Sequence, residues 1–192
     1  MIRGLSLISL PFIFMAHGAL AGSQSWRDGV YIGNVVDLFQ GETPETISFV
    51  KAHSGIALGA REYLAPCPTK EDQGCLFQQK RFILDYIAAF HGDQNSQDNI
   101  ATVLAGGSSS VAGVQPNPVR SCAWRIAIMM TASHGISEND LDQYNNGCWP
   151  LSASDRSLAQ LYSMNALVPV IRSTQDSGKF PYSLVDNWPG TP

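Results

Sequence analysis

Nothing in this chain of 192 residues spells a known chemistry. It has no phosphate-cradling glycine loop, no Gly-x-Ser-x-Gly, no His-x-Glu deaminase signature and no His-Glu-x-x-His. A basic face is also missing. The formal net charge is −4 with the lysines scattered, which leaves no electrostatic footprint for nucleic acid and no attraction to anionic membrane surfaces. Beyond Met15 no apolar run is long enough to span a bilayer. Cys-x-x-Cys is absent, and no histidine lies within four residues of a cysteine, a spacing that argues against a zinc site. No metal or other cofactor is expected, and no convincing β-hairpin signal stands out, so the expected class is all-α.

What is present begins with an address. Arg3 supplies a positive charge, Leu5 to Met15 is almost continuously apolar, and Ala19-Leu20-Ala21 offers small residues where a signal peptidase reads. The run is too short for a membrane span and contains Pro11. Residues 1–21 therefore read as a secretory signal peptide, with a periplasmic or secreted destination. No cysteine follows the run, which speaks against a lipid anchor.

Cys67, Cys75, Cys122 and Cys148 make an even set, and in an exported chain that predicts two disulfides. Three connectivities are open. Cys67–Cys75 with Cys122–Cys148 is favoured, because each pair brackets a turn rich in Pro, Gly or Asn and short loops cost least to close.

Residues 22–172 are expected to form one helical domain, followed by a flexible tail, 173–192, rich in Pro, Gly and Ser. Trp26 to Phe39 reads as a short helix. Thr43-Pro44-Glu45 starts another, with Thr43 as N-cap and Pro44 at the first helical position. That helix is expected to run to Leu64, with Gly55 and Gly59 admitting a close neighbour. Leu76 to Phe90 is amphipathic, Ser96 to Leu104 follows a turn at His91-Gly92-Asp93, and Asn117 caps a helix over Val119 to Ala132. Ser152 or Ser154 starts a last helix that weakens at Pro169.

Within this series Ala88 to Trp124 has a recognisable punctuation: Ala88-Ala89-x-x-Gly92-Asp93-x-x-Ser96-Gln97, then Ile100-Ala101 and Leu104, then Gly113-Val114-x-x-Asn117-x-x-x-Ser121-x-x-Trp124. It resembles the Sel-one-like repeat, a relative of the tetratricopeptide repeat. Ala88, Ala89, Gly92, Asp93, Gln97, Gly113, Val114, Asn117 and Trp124 match that pattern, while Ser96, Ile100, Ala101, Leu104 and Ser121 depart from it conservatively. Gly107 to Ala112 lengthens the inner loop, and Ile128-Met129 stands where the next Ala-Ala would fall. The resemblance implies a solenoid-like αα-hairpin with small residues at the helix crossing and a role in binding a protein partner, within a compact domain that the two expected disulfides would staple. Ser121 to Arg125 with Cys148 is also similar to uncharacterised exported proteins of alphaproteobacteria.

Some residue groups invite a sharper reading. Ser48 and Lys51 have the Ser-x-x-Lys spacing of penicillin-binding enzymes, although Ser-Asp-Asn and Lys-Thr-Gly are absent. His53, His91 and His134 sit in no metal pattern, and His91 falls at a helix end, where the dipole favours a cation. Glu138, Asp140 and Asp142 precede Asn145-Asn146-Gly147, but the glycine is misplaced for a calcium loop and capping explains the acids better. Met129-Met130 with Ile126 and Ile128 is apolar around the whole helix, as core or as a methionine-lined groove. No catalytic residue is assigned. The leading expectation is a non-catalytic, exported interaction module binding through the concave face of the hairpin, with Gln94 and Gln97 exposed on it. The alternatives are a small envelope hydrolase using Ser48 and Lys51 or His53, and a carrier of a small apolar ligand.

Overall fold

The protein is described here by a computed structural model covering residues 26–27, 30–31, 35–69, 71–132 and 135–175. The signal segment 1–21, His134 and residues 176–192 of the expected tail lie outside the described residues.

Each long helix begins where a side chain satisfies backbone N–H groups that the helix itself leaves bare. Thr43 accepts from the Thr46 N–H and opens α1 (Pro44–Ala52). Asp72 accepts from Cys75 N at 3.0 Å and opens α3 (Gln73–Phe90), three residues earlier than expected. Asp93 caps α4 (Gln94–Ala105), Asn117 caps α5 (Pro118–Thr131), and Ser152 caps α7 (Ala153–Tyr162). Ser137 and Asp140 form a reciprocal capping box at the start of α6 (Glu138–Cys148).

The reading of Pro44 to Leu64 as one helix needs correction. The chain breaks at His53, whose Nδ1 donates to Phe49 O at 2.9 Å, and restarts as α2 (Ser54–Ala60). A 3₁₀ turn, Arg61–Tyr63, then leads into extended chain. Gly55, a poor helix former just past the break, meets no neighbour that a side chain would touch, whereas Gly59 leaves room for the Tyr86 ring. The described residues of Trp26 to Phe39 do not form the expected α-helix either. Trp26–Arg27 (β1) pairs antiparallel with Val30–Tyr31 (β2), and a 3₁₀ helix, Val35–Phe39, follows. Asp28-Gly29 separates the two strands in sequence, a dipeptide typical of two-residue hairpin turns.

The fold is all-α around α3, whose residues Phe82 to Phe90 are all buried. α2 packs on one side of α3 and α4 on another, α5 on α4, and α6 and α7 on α5. Successive helices thus stack as neighbours. Ser163–Leu167 is a π-helical turn, after which α8 (Val168–Gln175) continues past Pro169. The wide turn takes up the register change ahead of a proline that cannot donate to the ladder. α8 therefore reaches three residues into the stretch expected as tail. Thr174 Oγ1 donates to Phe90 O and Gln175 Nε2 to Thr131 O (3.2 Å), closing the ends of α3 and α5.

Cys67 joins Cys75 and Cys122 joins Cys148, with Cα separations of 5.7 and 4.9 Å. The first disulfide sits beside a small knot. Leu64 and Val114 form an antiparallel bridge, and the buried Gln79 donates to both Ala65 O (2.6 Å) and Gly113 O (3.2 Å).

Candidate functional site

The residues of the Ala88–Trp124 pattern are spent on structure. Ala88, Ala89 and Trp124 are wholly buried. Gly92 takes φ +89° at the end of α3, and Gly113 takes φ +79° where a Cβ would stand 2.7 Å from Cys75 Sγ. Val114 is buried in its bridge, and Asn117 accepts from Arg120 N at 3.0 Å. Ser121 donates to Ala101 O at 2.6 Å, tying α5 to α4. Tyr86 and Phe90 meet the Trp124 ring edge to face, at 5.8 and 5.2 Å between centroids.

Gln97 corrects the expectation of an exposed binding position. It is 1 % exposed and donates to Ala89 O at 3.0 Å. Burial without that bond would leave an amide unsatisfied, so the side chain is an internal strut. Gln94 is half-buried and reaches the Asp140 carboxylate.

The chemical candidates are dispersed. Ser48 and Lys51 are exposed on α1. His53 and His91 come together, their rings edge to face at 5.0 Å. Burial, and then His53, pushes the His91 pKa down, so the neutral ring is favoured where the helix dipole alone would favour a cation. The Asp140 carboxyl is held below its usual range by the Ser137 N–H and hydroxyl, which it accepts as part of the capping box. That carboxylate serves in the helix cap.

A concave site lies elsewhere among the described residues, between α5, α6 and α7. Cys122, Ile126, Met129 and Met130 come from α5, at helical spacing along one face. Tyr144 faces them from α6, and Ala153, Arg156, Ser157 and Gln160 from α7. They enclose a groove of about 520 Å³, within the range of small-molecule sites. Ile128 is turned into the core at 2 % exposure, so the apolar circumference of α5 divides into a core side and a groove side. Arg156 is fixed at this groove. Its Nη1 donates to Trp149 O (3.1 Å) and Leu151 O (2.5 Å), and its guanidinium lies 5.6 Å from the Trp149 ring centroid.

Sequence reasoning found Met129 and Met130 but not Tyr144, Arg156 or Gln160. A signal existed for α7: Ala153, Arg156, Ser157 and Gln160 recur at i, i+3, i+4 and i+7, away from the buried Ala159. Beyond the groove, the outward face of α7 carries Leu158 and Leu161, and Trp149 stands in the turn before it. No family model, curated protein or solved structure matches this chain.

Proposed function

We infer that the chain is an exported, non-catalytic module that binds a protein partner through the solvent face of α7 and the turn before it. One observation carries the reading: Trp149 is 77 % exposed and Leu158 and Leu161 57 % each. Large apolar side chains grouped on one surface element are what a partner would cover, at about 25 cal/mol for each Å² of apolar surface removed from water. The Sel-one-like resemblance supports the same class of role, with the framework residues of Ala88–Trp124 as scaffold. The leader-like segment 1–21 and the paired cysteines support a periplasmic or secreted location, since disulfides persist in oxidising compartments. No helix among the described residues is long and apolar enough to cross a membrane.

A crosslinked pull-down with the tagged protein tests this. One recurrent protein partner is expected, lost in a Leu158→Ser/Leu161→Ser variant whose stability stays within about 0.5 kcal/mol of the parent. A partner retained by that variant would overturn the surface, and recovery of no protein by a folded bait would overturn the role. The groove favours a second reading, ligand carriage.

A further inference from the structure

We propose that the α5–α6–α7 groove is a binding site for a small amphiphilic carboxylate, with its apolar chain along Ile126, Met129 and Met130 and its head at Arg156. The site borders the protein-binding surface at Trp149, is lined by other residues than Leu158 and Leu161, and does not depend on that reading. Two properties of the lining select this class. The floor is aliphatic and thioether, and methionine's unbranched, polarisable side chain fits flexible alkyl chains without demanding one shape. Above it, Arg156 is the one charged group among the lining residues, a cation in a chain of net charge −4.

Arg156 is also positioned for the task. Two main-chain carbonyls accept from its Nη1, and the Trp149 ring lies beside the guanidinium. A guanidinium carries five N–H donors in a planar fork, more than two carbonyls on one nitrogen satisfy, and a carboxylate matches that fork. Because these contacts hold the side chain before any ligand arrives, little rotamer freedom is lost on binding. Gln160 and Ser157 lie on the same helix face within the groove. The Ser157 hydroxyl is neutral and its proton is engaged with Ala153 O at 3.0 Å, so it neither competes with nor repels an anion at Arg156. A neutral alcohol or an alkyl cation would fill the floor equally well but leave Arg156 unanswered.

Dodecanoate, below its micellar concentration, is the probe, titrated calorimetrically into the folded full domain. Dodecyltrimethylammonium and acetate serve as controls for charge and chain. The expected result is one dodecanoate per chain, bound at least tenfold tighter than the cation, with no acetate binding. Arg156→Gln should remove that preference. Gln160→Glu, at an exposed helical position that leaves folding intact, should weaken dodecanoate about tenfold by setting an anion beside Arg156. Met129→Trp, which fills the groove, should abolish binding of both amphiphiles. Leu158→Ser/Leu161→Ser should leave dodecanoate binding unchanged, so this proposal and the protein-partner reading fail separately. Equal binding of the two amphiphiles, undiminished affinity in Gln160→Glu, or no dodecanoate binding would each overturn it. So would an uncharged apolar peptide amide that binds as tightly as dodecanoate.

Discussion

The helices α3 to α5 and the helices α6 and α7 are built on opposite terms. In the first group most polar side chains that turn inward are answered, the buried Trp124 Nε1 excepted. Gln97 meets Ala89 O, Ser121 meets Ala101 O, and the buried Arg125 is shared by Asp98 and Thr102. In the second group almost nothing is turned inward. Cys148 is the buried residue of α6 and Ala159 that of α7, while Leu141, Leu158 and Leu161 stay in water. Burial that answers most of its inward polar groups gives a packed support with little surface left to offer. A layer that packs on α5 through small buried residues and one disulfide keeps its large apolar side chains for something else. The segment with the most recognisable sequence pattern is thus the support, and the groove and the exposed ridge lie where that pattern has ended.

The contrast predicts a gradient of mutational cost. Trp124→Ala, at the centre of the support, should destabilise by about 3–5 kcal/mol, measured by urea unfolding. A loss under about 1 kcal/mol would mean the aromatic cluster with Tyr86 and Phe90 is not what holds α3 to α5. Replacing Cys122 and Cys148 by Ala should cost about 3.5 kcal/mol, against about 2.5 for Cys67 and Cys75, because the loops close 26 and 8 residues. Hydrogen exchange should then rise in α6 before α3. Uniform protection loss would show that the two layers are one cooperative unit.

Asp85 gives the support a pH signature. Burial raises its pKa from 3.8 to about 6, against the pull of Arg81, whose Nε lies 3.0 Å from Oδ2. The folded state therefore binds more protons than the unfolded state between those values. Stability should fall as pH rises from about 4 to about 6, by about 3 kcal/mol. Asp85→Asn should flatten that slope, and an unchanged slope would assign it to another group. The smallest effects separate two glycines. Gly113→Ala should cost more than about 1 kcal/mol, since φ is +79° and the new Cβ would meet Cys75 and Gln79. Gly55→Ala, in open space on α2, should gain about 0.5–1 kcal/mol in thermal unfolding.

Capping chemistry was readable because it is local. Thr43, Asn117 and Ser152 each act within three residues of themselves, and the disulfide pairs span turns visible in the chain. Gln97 was readable too, had its helical spacing with Ile100, Ala101 and Leu104 outweighed its polarity. Asp28-Gly29, a dipeptide favoured in hairpin turns, likewise spoke against a helix over that stretch. The break at His53 depends on one side chain bonding its own helix, which periodicity does not encode. The groove was half legible. Its methionine floor follows from α5 alone, but its walls exist only because α6 and α7 settle on either side of that face. The π turn before Pro169 carried α8 beyond the expected boundary, since a proline reads locally as a stop.

The docking of α8 has a consequence in time. Thr174 seals the end of α3 by bonding Phe90, a partner 84 positions earlier in the chain. At ribosomal speeds those positions separate by roughly 4 to 17 s of synthesis. For that interval the residues of α3 exist while their closing helix is still unmade, and the Phe90 carbonyl lacks its Thr174 partner. A chaperone that recognises nascent apolar surface would have its window there, and a chain released before α8 is complete would lack its lid.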